Sequence, residues 1–131
     1  MGIILSLLSG VLMGLCPAPF GLWMLAWIAL IPLWRSLFLV TSYKQIILLS
    51  LAWGCGYHGL ALFWITGIHP MTWMGVPWLA SIGIALFCWL FITLWGAALV
   101  VVWGISFKFI TKRVTYKANI YYSLFRVLIF R

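Results

Sequence analysis

Apolar residues run through this chain in four long stretches with only short interruptions between them. The stretches cover roughly residues 1–16, 20–40, 46–66 and 78–103. A transmembrane helix needs about 20 predominantly apolar residues to cross a hydrocarbon core of about 30 Å. The third stretch, Ile46 to Thr66, has that length and carries no charged side chain. The pattern therefore predicts an all-α protein, a polytopic transmembrane helix bundle of about four spans.

Proline, glycine and polar residues mark the interruptions. The first is PAPFG, Pro17 to Gly21, whose prolines lack an N–H and disfavour helical geometry in the preceding residue. The second is Thr41 to Gln45, and the third is GIHPMTWMGVP, Gly67 to Pro77. Non-helical backbone is tolerated at a membrane surface, so we predict three surface turns. Pro32 is expected to kink the second helix.

The first stretch has two interpretations, a retained helix or a cleaved signal peptide. No basic residue precedes the apolar run, and Pro17 and Pro19 stand where small residues would mark a cleavage site. We therefore expect a retained helix. Gly10 and Gly14 form a GxxxG pair, which allows a neighbouring helix to approach closely.

Composition supports a membrane location. Hydrophobic residues make up 67% of the 131 residues, charged residues only 6%, and the mean hydropathy is +1.24. A soluble domain carries about 25% charged residues, so this chain could not cover a water-facing surface. The net charge of +8 comes from lysines and arginines at the ends of apolar stretches. There they indicate topology and contacts with phospholipid headgroups, and we expect no nucleic-acid partner.

The positions of the cations predict an orientation. Arg35 and Lys44 flank the second interruption, and Lys108 to Lys117 follow the fourth stretch. Cytoplasmic loops of membrane proteins carry an excess of Lys and Arg, so we expect these segments and the N-terminus in the cytoplasm. The uncharged PAPFG and GIHPMTWMGVP turns then face outward. We divide the chain into a transmembrane region, residues 1–107, and a basic cytoplasmic segment, residues 108–131, that is an interfacial helix or part of a fifth one.

The chain contains no Asp and no Glu, which excludes most catalytic mechanisms for these residues. They offer no carboxylate base and no side-chain site for hard cations, and we expect no cofactor and no metal site.

Cys55 and His58 are three residues apart on one helical face. They are either a nucleophile with its base, or a small buried thiol beside a neutral imidazole bonded to a carbonyl of a neighbouring helix. We favour the second interpretation, since a thiolate within a membrane is strongly disfavoured. Cys16 and Cys88 also fit buried thiols.

Ten tryptophans are present, and they have two interpretations. Trp23, Trp73 and Trp78 fall near the predicted outward side, where aromatic residues collect at membrane interfaces. The alternative is an apolar groove that accepts lipid chains and opens near Trp64, at the outward end of the third helix. The sequence leaves both open.

The stretch GLCPAPFGLWMLAWIALIPLW resembles the opening of the bacterial apolipoprotein N-acyltransferases. In that family a Pro-Pro-Phe-like turn, Gly-Leu-Trp and Leu-Ala-Trp-Ile-Ala-Leu-x-Pro-Leu follow the first helix, and residues from Pro17 to Leu33 match them. The stretch LAWGCGYHGLALFWI is similar to the family's glycine-rich third helix, which ends in a pair like Trp64 and Ile65. The resemblance covers about residues 1–104.

The resemblance implies a reaction and a location. The family transfers an acyl chain from a membrane phospholipid to the α-amine of a lipoprotein's N-terminal cysteine, in the bacterial cytoplasmic (inner) membrane. A nitrilase-like domain outside that membrane catalyses the transfer with Cys, Glu and Lys, and the membrane helices hold the domain and admit lipid. Implied partners are phospholipid, the lipoprotein substrate and a separately encoded catalytic domain.

This chain departs from the family pattern in several respects, and we expect the nitrilase-like domain and the later helices to be missing. It contains no Glu, and none of its cysteines lies in a matching motif, so no catalytic residue is carried over. We expect a truncated or split membrane portion that is inactive alone. The candidate lipid-facing or domain-docking residues are Pro17, Pro19, Phe20, Trp23 and Trp64. The alternative is a small stand-alone membrane protein that acts as a scaffold or partner subunit.

Overall fold

The fold consists of helices throughout the part of the chain that the structure describes. A computed structural model gives the backbone of residues 2–129 and the side chains of residues 2–114. The α-helices are α1 (Gly2–Gly14), α2 (Ala26–Ala29), α3 (Ile31–Leu39), α4 (Tyr43–Ala61) and α5 (Trp78–Ile129). Short 3₁₀ helices occupy Trp23–Leu25, Phe63–Ile68 and Thr72–Met74. Residues 2–129 contain no β-strand, which confirms the all-α prediction.

Successive passes of the chain alternate in direction. Helix α1 runs parallel to α4, since Gly2 lies against Leu49 and Gly14 lies against Leu60. Between them α2 and α3 return in the opposite sense, because Ala29 reaches Trp53, whose Nε1 donates a hydrogen bond to the Ala29 carbonyl at 3.4 Å. The buried core of this part is formed by Leu33, Leu37, Ile46, Leu49 and Trp53.

Helix α5 runs antiparallel to α4. Gly54 of α4 lies against Ala97, and Ser50, one turn earlier, lies against Gly104, further along α5. The alternation therefore places residues 15–25 and 62–77 together at one end of the bundle, which we call the proline end. The loop of residues 40–42 and Lys108 lie at the opposite end, which we call the basic end.

Small residues allow α1 and α4 to touch backbone to backbone. A Cβ atom on Gly56 would lie 2.6 Å from the Leu7 carbonyl oxygen and 3.0 Å from the Val11 nitrogen, and one on Gly10 would collide with the Trp53 carbonyl. The buried Ser6 hydroxyl adds a hydrogen bond of 2.7 Å to the Leu49 carbonyl. Close approach through glycine and serine is the usual basis of helix association in lipid, so the predicted role of Gly10 agrees with the structure.

Helix α3 is joined to α5 at the basic end by Lys108. This lysine is only 7% exposed, and its ammonium donates hydrogen bonds to the carbonyls of Leu37 at 3.1 Å and Phe38 at 3.3 Å. The last carbonyls of a helix have no partner within it, so Lys108 satisfies two groups that would otherwise be orphaned. The ring of Phe38 also packs edge to face on Phe107, with centroids 5.1 Å apart.

The helices differ in their capacity to cross a membrane. Among the described residues one helical segment, Trp78–Val114, is long and apolar enough by length and composition. Gly2–Gly14 and Trp23–Leu39 are apolar but shorter. The break between α2 and α3 comes at Leu30, and Pro32 stands in the first turn of α3, at the place where the sequence predicted a kink.

The fourth apolar stretch continues beyond its expected end. We expected a span to residue 103 and a separate segment from residue 108, whereas the backbone of α5 runs as one helix from Trp78 to Ile129. The expected interfacial or partial fifth helix depends on side chains after Val114, which lie outside the described residues.

Replacing Gly56 by leucine should destabilise the bundle, because any side chain at this position meets the α1 backbone. We expect a loss of at least about 2 kcal/mol, the size of an overpacked core. The measurement is unfolding of the full chain in mixed micelles with increasing SDS, followed by tryptophan fluorescence. The matched control is Gly83→Leu, since a Cβ on Gly83 meets no atom within 4 Å. Equal SDS unfolding midpoints for the two variants would contradict a close backbone contact between α1 and α4 at Gly56.

Candidate functional site at the proline end

The first turn of the proline end is held closed by its own backbone. The Leu22 N–H donates to the Leu15 carbonyl at 3.1 Å, and the Gly21 N–H donates to the Pro17 carbonyl at 3.0 Å. Gly21 has φ +67°, in the left-handed region that glycine enters without strain. The result is a compact loop between α1 and α2, which agrees with the turn predicted from PAPFG.

The predicted residues of this turn face away from the bundle. Phe20 is 52% exposed and Trp23 is 63% exposed, while Pro19 is exposed and Pro17 is half-buried. The peptide bond between Ala18 and Pro19 is cis. The turn therefore presents an apolar, aromatic surface that carries no charged side chain.

The second loop is held on the start of α5 by a buried serine. The Ser81 hydroxyl accepts a hydrogen bond from the Met71 N–H at 2.9 Å and lies 2.8 Å from His69 Nδ1. Because that oxygen already accepts from Met71, its proton is available to donate to the imidazole. The ring of His69 packs edge to face on Trp78, with centroids 5.3 Å apart. These contacts fix the loop between Ile68 and Trp78 without any charged group.

Exposed aromatic rings concentrate at the proline end. Each of the following is more than half exposed: Phe20, Trp23, Trp27, Phe63, Trp64, Trp73 and Trp78. Trp64 belongs to the 3₁₀ helix Phe63–Ile68, which packs on α5, whereas the other predicted residues share the first turn. The structure thus places all five candidates at one end of the bundle, in two separate loops.

A groove of about 410 Å³ separates α3 from α5 over α4. The two helices meet near Phe38 and Phe107 at the basic end, and the groove extends from there toward the proline end. Its walls are apolar or aromatic, and they are formed by Leu30, Leu33, Trp34, Trp53, His58, Gly96, Leu99, Val100 and Trp103. The lipid groove considered as one of two interpretations of the tryptophans was expected to open near Trp64, which is not among these residues.

The Cys55 and His58 side chains do not form a pair. His58 Nδ1 lies 3.0 Å from the Gly54 carbonyl, and because a carbonyl only accepts, this nitrogen carries the proton. No hydrogen bond joins His58 to Cys55 within residues 2–114. The imidazole also lies against Gly96 of α5, where a Cβ would collide with it. The neutral imidazole was expected to bond to a neighbouring helix, and its carbonyl partner belongs to its own helix instead.

The described cysteines and histidines do not cluster. Cys16, Cys55 and Cys88 are all free thiols. Within the described residues no group of three metal-ligating side chains was found.

Sequence reasoning missed several residues of these surfaces. Ser81 was an ordinary helix residue in the sequence, and Trp34 and Trp103 were unremarkable within apolar stretches. Their roles arise from contacts between segments 10 to 71 residues apart, such as Met71 with Ser81 and Leu37 with Lys108. The one local signal in the sequence was a polar residue, Ser81, in an apolar stretch shortly after the loop GIHPMTWMGVP.

Comparisons with known proteins agree on one family. The sequence profile of the apolipoprotein N-acyltransferase N-terminal domain matches residues 9–129. The chain is 50% identical over 107 residues to an apolipoprotein N-acyltransferase of a Nostoc species, which covers 77% of this chain and 21% of the relative. It is 53% identical over 102 residues to that of a Synechocystis species, covering 70% and 20%.

A more distant relative matches over similar shares of both chains. The apolipoprotein N-acyltransferase of Gloeobacter violaceus is 35% identical over 103 residues, which cover 79% of this chain and 20% of the relative. No solved structure matches the fold. The chain thus spans about a fifth of the length of these curated relatives. With its helices, its proline turn and nearly its whole length matching the N-terminal domain, the chain belongs to the apolipoprotein N-acyltransferase family.

Proposed function

We propose that this chain is the four-pass membrane portion of a lipoprotein-maturing N-acyltransferase, and that it is inactive alone. Its role is to hold a catalytic domain at the proline end and to admit the phospholipid that donates the acyl chain. The observation that carries the proposal is the separation of the two ends. Alternating helical passes put both uncharged aromatic loops at one end and the described cations, such as Arg35, Lys44 and Lys108, at the other.

Charge distribution supports the orientation. Arg35, Lys44 and Lys108 belong to the basic end, which would face the cytoplasm of a bacterium by the positive-inside rule. The proline end then lies outside the cytoplasmic membrane. The exposed Trp23 and Trp64 would sit at headgroup level, where amphipathic rings are favoured.

Helix lengths are compatible with four spans when the turns are included. Helix α1 is about 20 Å long at 1.5 Å per residue, which is short of a hydrocarbon core of about 30 Å. A short apolar segment is accommodated by local thinning of the bilayer or by neighbouring structure at a modest cost. After the end of α1 at Gly14, the half-buried Leu15 and Cys16 extend its apolar segment.

The groove between α3 and α5 supports lateral admission of lipid. Its volume of about 410 Å³ lies within the usual range of ligand pockets, about 300–1,000 Å³. Its walls are apolar over their whole length except for His58, whose Nδ1 proton is already used. An acyl chain entering from the bilayer would lose no hydrogen bond there, whereas a polar headgroup would stay at the interface.

Catalysis itself would come from outside these residues. Acyl transfer to an amine needs a nucleophile or a base to remove a proton, and these 131 residues contain no carboxylate. Cys55 lacks a hydrogen bond to His58 and lies in the bundle. The described surfaces therefore support positioning of the reaction rather than its chemistry.

A chimaera tests the function. The matched 107-residue stretch of the Nostoc relative is replaced by the corresponding part of this chain, and the protein is expressed in cells depleted of their own acyltransferase. We expect N-acylated lipoprotein, detected by mass spectrometry of its N-terminal peptide, and none when this chain is expressed alone. A chimaera that inserts and accumulates normally without N-acylation would favour the stand-alone scaffold instead.

Aromatic residues of the proline end should matter within that chimaera. Trp23→Ala or Trp64→Ala removes a large apolar contact from the proposed docking surface, and we expect N-acylation to fall about tenfold, as for a moderate interface contact of about 1.4 kcal/mol. The matched control is Trp95→Ala, whose ring is equally exposed, at 64%, but lies in the middle of α5. An equal loss in all three variants would contradict a docking role.

Membrane crossing is tested by cysteine labelling in a variant whose native cysteines are replaced by serine. Single cysteines are introduced at the exposed positions Ile3, Phe20, Thr41, Thr72 and Val114. An impermeant maleimide applied to intact spheroplasts should label positions 20 and 72, and should label the others only after permeabilisation. Labelling of position 41 together with position 20 would contradict the four-pass topology.

A further inference from the structure

Two grooves meet at the start of α1, at the basic end of the bundle. One groove, of about 460 Å³, lies between α1 and α3 and is lined on the α3 side by Pro32, Arg35, Ser36 and Leu39. The other, of about 630 Å³, lies between α1 and the start of α4 and is lined opposite α1 by Val40, just after α3, and by Gln45, Leu48 and Leu49 of α4. Both include Gly2 and Ile4, so they are adjacent and lie on either side of α1. Neither belongs to the loops or the groove assigned to acyl transfer above.

Each groove has a few polar side chains among mostly apolar walls. Arg35 lines the first groove one turn before the end of α3, and its side chain is exposed. Gln45 lines the second groove in the first turn of α4, next to Lys44. Apolar side chains line the first groove on both sides of Arg35, with Leu8 and Pro32 toward the proline end and Leu39 toward the basic end. A cation beside apolar walls matches the two parts of a phospholipid, its headgroup and its acyl chains.

Among the residues with described side chains, none forms a hydrogen bond or ion pair with Arg35. These 131 residues include no Asp or Glu, so none of their side chains can neutralise the guanidinium. The neighbouring Ser36 hydroxyl donates its proton to the Pro32 carbonyl at 2.8 Å and does not use an anion. A guanidinium is well suited to phosphate, because its N–H groups match the phosphate oxygens. An anionic ligand is therefore the natural counterpart.

We propose that the paired grooves bind one anionic phospholipid of the leaflet that faces the basic end. One acyl chain lies in each groove, and Arg35 contacts the phosphate. The two volumes fall within the range of ligand pockets, and the grooves adjoin at Gly2 and Ile4, so one diacyl lipid can place an acyl chain in each while its phosphate meets Arg35 of the first. The inference rests on insertion in a membrane as proposed above, but it concerns the opposite leaflet and no step of acyl transfer.

The test is retention of lipid by the full chain. The protein is reconstituted with equal amounts of phosphatidylglycerol and phosphatidylcholine, extracted in mild detergent, and weighed intact by native mass spectrometry. We expect one retained phosphatidylglycerol in preference to phosphatidylcholine. Arg35→Gln should lower its occupancy about fivefold, the usual contribution of one cation at an anionic membrane surface. Lys112→Gln is the matched control, because Lys112 lies over the Tyr43 ring, 5.0 Å from its centroid, and lines neither groove.

The groove itself is tested by a pair of tryptophan substitutions on α1. Leu5→Trp fills the first groove, whereas Leu12→Trp enlarges an exposed side chain that lines neither groove. A phosphatidylglycerol with a diazirine in its acyl chain should crosslink to α1 and α3 in the parent chain and in Leu12→Trp. Leu5→Trp should reduce this crosslinking severalfold.

Several outcomes would overturn the inference. They are equal retention of both lipids, equal losses for Arg35→Gln and Lys112→Gln, crosslinks unaffected by Leu5→Trp, and a dimer in which a second copy covers the grooves. The chimaera and the labelling experiment separate this inference from the proposed function. A chain that inserts and supports N-acylation but retains no anionic lipid would refute the paired grooves alone.

Discussion

Direct contact between the backbones of α1 and α4 is the constraint on which the rest of the bundle depends. Gly10 and Gly56 leave no room for side chains, so the two helices meet at a distance that only glycine and serine permit. In the proposed membrane setting, lipid offers no hydrophobic gain for bringing two apolar helices together, so close packing and hydrogen bonds such as Ser6 to Leu49 would supply the attraction. Once this parallel pair is fixed, α2 and α3 must return between its ends, and α5 packs on the opposite side of α4 through Gly54 and Gly96.

The absence of carboxylates shapes the remainder of the molecule. Without acidic partners, a cation is satisfied by backbone carbonyls, aromatic rings or an external anion. Lys108 uses the first route, with the carbonyls of Leu37 and Phe38, and Lys112 uses the second, over Tyr43. Arg35 is assigned the third route by the paired grooves. The proline end has no charged side chain to satisfy. Its loops are fixed by backbone and serine hydrogen bonds, and they present an uncharged aromatic surface.

Much of the architecture could be predicted from the sequence because local signals determine it. The prolines of PAPFG end a helix wherever they occur, and the apolar stretches predicted the helical class. The glycine pair at Gly10 and Gly14 indicated a close helix contact.

Features that depend on distant contacts could not be predicted. Lys108 was predicted to begin a basic cytoplasmic segment, whereas α3 places two carbonyls beside its ammonium, and the groove of Trp34 and Trp103 exists only because α3 and α5 diverge. The continuity of α5 past Lys108 was also missed, since a cluster of charges does not break a helix.

Lys108 and Trp78 together have a geometric consequence for the vertical position of the whole bundle. Along α5 they are separated by about 45 Å at about 1.5 Å per residue, close to the roughly 40–45 Å of a bilayer with its headgroups. A buried ammonium cannot sink into hydrocarbon, and an indole is held at the boundary with water. In the proposed membrane orientation, the two residues would therefore limit how far the protein can move along the membrane normal. A domain that docks on the proline end would then stay at a constant height above the headgroup plane. Lys108, on the other side of the bilayer, would set that height.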